Sequence, residues 1–290
     1  MWISREAAFS DVVLAPAGVV VGAGVVGLLR LVPGWPDGLV GTIVTVVLAI
    51  VVMIGWPTWL ARQRGETSAT PAPLDAGDVG RSALLGLPIV AAGILSSLAA
   101  GLPLDRAAFG RLAVIPVSPE GIAQMTLLVV AALGSFLLVV LVARRAAHAF
   151  RSPDMSVTAG LRTYGMGFAA AAAVLQLLFS LAYDQPFSRG LAVGVALAVT
   201  VLLADRLVPP GLAATRAAIL TPAIVAAALW IVQGGFLLGG PLLPRLAGAA
   251  TAGTLALCMG AAVQAGRTWA TALVPLAATI WLQTIIPVFG

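Results

Sequence analysis

The chain contains no lysine and no asparagine, so all 16 of its positively charged residues are arginine. A very GC-rich genome explains both absences, since the codons for lysine and asparagine are AT-rich. Without lysine, the chain cannot form a Schiff base with retinal or a carbonyl substrate, and it cannot build a Ser–Lys dyad. Two kinds of covalent chemistry are therefore excluded.

Histidine and cysteine each occur once, as His148 and Cys258. Bis-histidine haem ligation, a His/Cys zinc site and an intramolecular disulfide each need more of these residues. His148 lies in the arginine-rich segment Arg144–Arg151, where we expect a solvated or interfacial role. Cys258 lies in an apolar stretch and is expected to be a small core residue. We therefore predict no catalytic residues, no metal site and no cofactor.

Soluble nucleotide chemistry is also missing from the sequence. No G-x-x-x-x-G-K-[ST] loop and no G-x-G-x-x-G strand–helix unit occurs, and the longest predicted loops, Ala61–Arg81 and Arg144–Arg162, are too short for a soluble domain. The net charge is +5, but the arginines stand singly or in pairs beside apolar runs rather than on one basic face. We therefore predict no nucleic-acid partner.

Long apolar runs dominate what is present. Hydrophobic residues make up 60% of the chain, charged residues 9%, and the mean hydropathy is +1.07. Lipid offers no hydrogen bonds to a bare backbone, so an apolar run of about 20 residues must cross the bilayer as a helix. The sequence predicts an all-α, polytopic transmembrane helix bundle that forms a single integral membrane domain over residues 1–290.

We predict nine spans, or eight full crossings if one of the last two is re-entrant. The first is expected to be an uncleaved signal-anchor, because its apolar part is too long for a signal peptide and no small-residue cleavage site follows. The predicted spans cover about residues 12–32, 38–60, 82–103, 121–143, 163–183, 190–208, 217–238, 246–266 and 268–289.

The distribution of arginine between alternate loops predicts the orientation. With the N-terminus cytoplasmic, eleven arginines lie inside and five outside, which agrees with the positive-inside rule. We therefore place the chain in the plasma (inner) membrane of a GC-rich bacterium. The inside group is Arg5, Arg62, Arg64, Arg81, Arg144, Arg145, Arg151, Arg162, Arg206, Arg216 and Arg267, and the outside group is Arg30, Arg106, Arg111, Arg189 and Arg245.

Two segments resemble each other and suggest repeated helical hairpins. Arg81–Leu95 and Arg216–Trp230 are identical at seven of fifteen aligned positions, and each opens a predicted span after a cytoplasmic loop. Repeats related within a membrane are typical of transporters, although scaffolds also arise by duplication.

Polar side chains inside the spans are the candidate ligand-binding residues. A buried amide in hydrocarbon needs a partner, so the glutamines either join helices or line a polar pathway for a neutral or amphiphilic ligand. Asp205 stands near the cytoplasmic end of its span, where an interfacial charge or helix cap is the alternative to a functional acid. The candidates are Gln176, Gln233, Gln264, Gln283 and Asp205.

Glycines spaced four apart, such as Gly18 and Gly22 or Gly190 and Gly194, predict close helix contacts. Packing inside the bundle is the main interpretation, and a homodimer face on the first span is the alternative.

Three function classes remain. The first is a transport protein or permease-type subunit that moves a small or amphiphilic molecule. The second is a non-catalytic membrane subunit that anchors or scaffolds a respiratory, secretion or envelope complex. The third is a membrane enzyme acting on lipid substrates, which the lack of paired acids disfavours. Expected partners are the bilayer and other membrane subunits or an ATPase.

Overall fold

The computed structural model describes residues 4–29, 31–34, 36, 38–64, 76–99, 118–184, 187–233 and 242–267. Within these ranges the chain forms eight helices and one pair of two-residue strands. The helices are α1 Arg5–Leu29, α2 Gly38–Gln63, α3 Ala76–Ala99, α4 Pro119–Ala149, α5 Val157–Ala182, α6 Phe187–Leu207, α7 Arg216–Gln233 and α8 Leu242–Gln264. The strands are β1 Met155–Ser156 and β2 Ala213–Ala214, which pair antiparallel.

Six stretches of these helices are long and apolar enough to cross a membrane, and they fall in α1, α2, α4, α5, α6 and α8. Two shorter apolar stretches, Leu84–Leu95 and Arg216–Ile231, correspond to the third and seventh predicted spans. The ninth, residues 268–289, lies outside the described residues. The multi-pass helical architecture is confirmed, and the count of eight or nine spans stays a prediction.

The starts of three helices are set by hydroxyl side chains. Ser118 accepts a hydrogen bond from the Gly121 amide at 3.1 Å, with Pro119 in the first turn of α4. Ser156 caps α5 in the same way, and Thr215 caps α7. Side-chain oxygens at these positions satisfy backbone N–H groups that have no partner within the helix.

Helix α8 occupies the centre of the bundle and packs against α4, α5, α6 and α7. Of its most apolar stretch, 89% is buried inside the protein. Its small residues allow this: at Gly248 and Gly253 any added Cβ would collide with Trp230 of α7 and Phe168 of α5. Close backbone approach through small residues is the usual way that membrane helices pack.

Two hydrophobic clusters flank this centre. One joins α3, α5, α6, α7 and α8 through buried side chains such as Ile89, Leu197 and Leu257. The other joins α1, α2 and α4 through side chains such as Val19 and Leu138, and it receives Val225 and Leu229 of α7. Helix α4 also packs directly on α8, so α4, α7 and α8 link the two halves.

The predicted glycine contacts are found within the bundle. Gly18 and Gly22 of α1 face Trp56 and Val52 of α2, so this face of α1 is occupied by another helix of the same chain rather than left open. Gly22, Gly24 and Gly27 also match the spacing G-x-G-x-x-G. They lie inside a continuous helix, whereas the phosphate-binding motif needs a strand-to-helix turn.

Two helices contain a π-helical turn. In α2 the turn covers Ile50–Gly55 and ends two residues before Pro57, which has no N–H to continue the regular ladder. In α5 it covers Leu161–Gly165 and lies close to the start of the helix.

The repeated hairpin is not confirmed. Helix α3, which carries the first copy of the similar segment, packs mainly on α6. Helix α7, which carries the second copy, packs on α8, α4 and α1. The two segments therefore have different neighbours.

Candidate functional site

One end of the bundle collects the charged contacts between helices. The most deeply buried is centred on Asp11, a fully buried carboxylate in the second turn of α1. Arg145 of α4, also fully buried, places its Nε 3.0 Å from Asp11 Oδ2. Arg64, which follows α2, approaches Asp11 Oδ1 through Nε and Nη2 at 3.3 Å each. We call these three residues the Asp11 junction.

Two members of this junction, Asp11 and Arg145, lie on faces that their helices already bury. Asp11 follows Ala8 by three residues and precedes Ala15 by four, and all three are fully buried. Arg145 follows the buried Leu138 by seven residues, which is two helical turns. The apolar stripes thus carry an acid and a base into the same space, where each compensates the desolvation of the other.

Two further contacts hold α1 against the end of α4. Arg5 Nε donates to the backbone oxygen of Ala149 at 3.0 Å. The rings of Phe9 and Phe150 meet edge to face, with centroids 6.1 Å apart and planes at 84°. The first turn of α1 is therefore fixed to the last turn of α4.

A second ion pair joins α5 and α6. Arg162 donates from Nε and Nη2 to the same oxygen, Oδ2 of Asp205, at 2.8 and 2.6 Å. Asp205 is 8% exposed and Arg162 is 65% exposed, so the acid is buried and the base is not. Arg162 lies in the π-helical turn of α5. We call these two residues the Asp205 junction.

The other oxygen of Asp205, Oδ1, is buried and has no hydrogen-bond partner among the described residues. A buried carboxylate oxygen that lacks a donor is costly to desolvate. It is therefore a place where a small cation, a proton or a donor group could bind.

A third, exposed pair lies beside the two-stranded ladder. Asp154 accepts from the backbone N–H of Arg216 at 2.9 Å, and its Oδ2 lies 3.5 Å from Arg216 Nε. Met155 and Ser156 pair with Ala214 and Ala213. The loop after α4 is therefore tied to the loop before α7.

These contacts bring one end of each of seven helices to the same end of the bundle, which we call the ionic end. The starts of α1, α5 and α7 meet there with the ends of α2, α4, α6 and α8. Five arginines that the sequence assigned to one side of the membrane, Arg5, Arg64, Arg145, Arg162 and Arg216, make these contacts. Their grouping agrees with the predicted topology, while the side of the membrane they occupy stays a prediction.

The candidate glutamines do not gather in one place. Gln264, at the end of α8, donates from Nε2 to the Ala218 oxygen at 3.2 Å, and its Oε1 is buried without a hydrogen-bond partner among the described residues. Gln176 is buried in α5, about 21 Å along the helix from Arg162 at 1.5 Å per residue. Gln264 and Asp205 thus share the ionic end, and Gln176 lies far from both.

The two remaining candidates are Gln233 and Gln283. Gln233 lies in the last turn of α7, but its side chain is outside the described part. Gln283 lies outside the described residues altogether. Among the residues that are described, no three His, Cys, Asp or Glu side chains come together in a way that could hold a metal.

Sequence reasoning missed Asp11. The predicted first span starts at residue 12 and leaves Asp11 outside it. The helix instead starts at Arg5, and Asp11 lies on its buried face. The available signal was spacing, since Asp11 falls three and four residues from alanines of the same stripe.

The helices define a multi-pass α-helical membrane protein with an ion-paired end. No family model, curated protein or solved structure matches the chain.

Proposed function

We propose that this chain is a non-catalytic membrane subunit that anchors or scaffolds a larger membrane assembly. The observation that carries the proposal is the distribution of polar groups. In the described part of the chain, the charged contacts between helices lie at the ionic end. The interior between the helices is filled mainly with apolar side chains, and the buried polar side chains described away from the ionic end are Gln176, Ser180 and four threonines. This arrangement holds helices together and leaves little to bind a substrate at mid-depth.

Four buried threonines support the same conclusion. Thr45, Thr200, Thr251 and Thr254 are buried, and each donates to the carbonyl four residues earlier in its own helix, at 2.8–2.9 Å. Their donor capacity is used within the helix. Transporters, in contrast, commonly bind substrate near the membrane midplane at broken helices with freed backbone groups.

The outer faces of α1 and α2 offer the surface that an anchor needs. Only 28% and 22% of their most apolar stretches are buried inside the protein. Exposed side chains on these helices include Val21, Val25, Val40 and Val47. Lipid covers such faces in a monomer, and another membrane subunit covers part of them in an assembly.

The native mass of the protein tests the proposal. Crosslinking in intact membranes, followed by mild solubilisation, is expected to give a discrete complex heavier than the 29.3 kDa chain with its bound detergent. Val47→Trp on α2 is expected to disrupt that complex, with Leu191→Trp on the exposed face of α6 as the matched control. A chain that is monomeric under all of these conditions would contradict the scaffold role.

Permease-type transport of a small or amphiphilic molecule is the second candidate. The buried acceptors Asp205 Oδ1 and Gln264 Oε1 favour it, because both lie at the ionic end without hydrogen-bond partners among the described residues. A partner ATPase would belong to this role. Cells that carry Asp205→Asn should then lose uptake of the substrate, while Asp154→Asn, an exposed acid at the same end, should not. Equal uptake in both variants would reject the candidate.

A further inference from the structure

We propose that the groove between α2 and α4 at the ionic end binds an anionic phospholipid. The groove is shallow, and the space of about 300 Å³ along its lining residues includes the open space in front of it. It is apolar along its walls and carries one guanidinium, that of Arg144. The inference does not depend on whether the chain scaffolds an assembly or transports a substrate.

The wall formed by α2 is apolar, and its one side-chain hydroxyl is already hydrogen-bonded. Pro57 and Ala61 line the groove, are buried and have pure hydrocarbon side chains. Thr58 also lines it, but its hydroxyl donates to the Ile54 carbonyl at 2.6 Å. This wall therefore favours an apolar occupant such as an acyl chain.

The wall formed by α4 changes from apolar to cationic along the helix. Leu137, Val140, Leu141 and Arg144 lie at positions i, i+3, i+4 and i+7, so they share one face. Arg144 stands about 10 Å beyond Leu137 along the helix axis, toward the ionic end. A ligand with a negative head and an apolar tail matches this order.

Arg144 differs from its neighbour Arg145 in its partners. Arg145 points into the bundle and pairs with Asp11. The ion pairs found among the described residues do not include Arg144, which is half-buried at the groove. Arg62, exposed in the last turn of α2, adds positive charge at the same end. A phosphate head group would compensate this excess of positive charge.

The apolar walls favour a lipid over a free anion. Inorganic phosphate would contact Arg144 alone, whereas a phospholipid also buries part of a chain against α2 and α4. Basic pockets between membrane helices are known to bind anionic head groups.

The experiment measures lipid binding to the purified full chain in detergent by native mass spectrometry. The probes are phosphatidylglycerol, which is anionic, and phosphatidylcholine, which is zwitterionic and has no net charge. We expect the wild-type chain to bind phosphatidylglycerol more tightly. Arg144→Gln should weaken that binding about fivefold, the factor for one arginine near the membrane surface. Binding of phosphatidylcholine should not change.

Two further variants separate lipid binding in the groove from general electrostatic attraction to the positively charged chain. Arg206→Gln removes an exposed arginine near the end of α6 and should change phosphatidylglycerol affinity less than about twofold. Leu137→Trp fills the groove without changing charge and should weaken binding of phosphatidylglycerol, and Leu137→Phe replaces it if the tryptophan variant unfolds. Thermal unfolding of each variant reports on folding.

Three results would overturn the proposal. Equal losses in Arg144→Gln and Arg206→Gln would show diffuse attraction of charge. Unchanged affinity in both Leu137 variants would show that lipid binds elsewhere. Displacement of the lipid by inorganic phosphate would show a site for a free anion.

Discussion

The Asp11 junction and the Asp205 junction use the same chemistry in different surroundings. At the first, acid and base are both fully buried, and a second arginine completes the contact. At the second, one buried acid meets one exposed base. A buried pair stabilises only while both partners are present, whereas an exposed partner can return to water when its counterpart is lost. The two junctions should therefore respond differently to the loss of one charge.

Removal of the acid at the Asp11 junction should give the largest effect. Asp11→Asn leaves Arg145 as a charge that is fully buried without its carboxylate. We expect a loss of about 3–5 kcal/mol in the free energy of unfolding, the range for breaking a buried pair. Chemical unfolding in detergent micelles, followed by circular dichroism, measures it.

A double variant provides the control for this prediction. Asp11→Asn combined with Arg145→Met removes both charges and should lose less stability than Asp11→Asn alone. If the loss in the free energy of unfolding of the double variant equals the sum of the losses of Asp11→Asn and Arg145→Met, the two residues do not interact.

At the Asp205 junction the test is which of two single variants lowers the thermal midpoint more. Arg162→Gln leaves a buried carboxylate without its base, whereas Asp205→Asn leaves only an exposed guanidinium. We expect Arg162→Gln to lower the thermal midpoint more than Asp205→Asn does, and both to lower it less than Asp11→Asn. Equal shifts for the two variants would mean that the exposure of Arg162 does not matter.

Gln264 adds an uncharged contact at the same end. Gln264→Leu removes its hydrogen bond to Ala218 and should cost about 0.5–2 kcal/mol of stability, as polar contacts between membrane helices do. Gln264→Glu keeps the shape of the side chain and serves as its partner variant. A loss of substrate uptake without a loss of stability would instead support a ligand at this position.

The smallest effect is expected at the exposed pair of Asp154 and Arg216. Arg216→Gln removes the side-chain ion pair but keeps the backbone N–H that Asp154 accepts. The stability change should stay within about 1 kcal/mol and shrink further in high salt. A change as large as that of Asp11→Asn would show that this pair, not the buried one, secures the ionic end.

The sequence predicted the helices well because hydropathy and helix length are local properties. The eleven arginines that it assigned to one side of the membrane include the five whose contacts lie at the ionic end. It did not predict which helix is central. The apolar stretch of α2 has a higher mean hydropathy than that of α8. Only 22% of it is nevertheless buried inside the protein, compared with 89% for α8. Lipid accepts hydrophobic surface as readily as a protein core does, so hydropathy does not separate inside from outside in a membrane.

The site was harder to predict for a related reason. Asp205 was identified because it lies at the end of an apolar run, and the structure gives it a partner. Asp11 lies outside the predicted first span, and its partners, Arg64 and Arg145, are distant in sequence and pair with it only after folding. Gln264 and Gln176 both lie inside predicted spans, but the structure places Gln264 at the end of α8, beside Ala218, and Gln176 inside α5. The contact between Gln264 and Ala218 joins residues 46 positions apart, so it forms only when α7 and α8 pack together.

The Asp11 junction also constrains how the chain is made. Asp11 enters the membrane with the first helix, but Arg64 follows 53 residues later, and Arg145 is 134 residues downstream (145 minus 11). At synthesis rates of about 5–20 residues per second, the last partner is made about 7–27 s after the acid. During that interval α1 carries a carboxylate without its final counter-charges. The insertion machinery, or water at the membrane surface, must therefore hold the first helix until the fourth arrives.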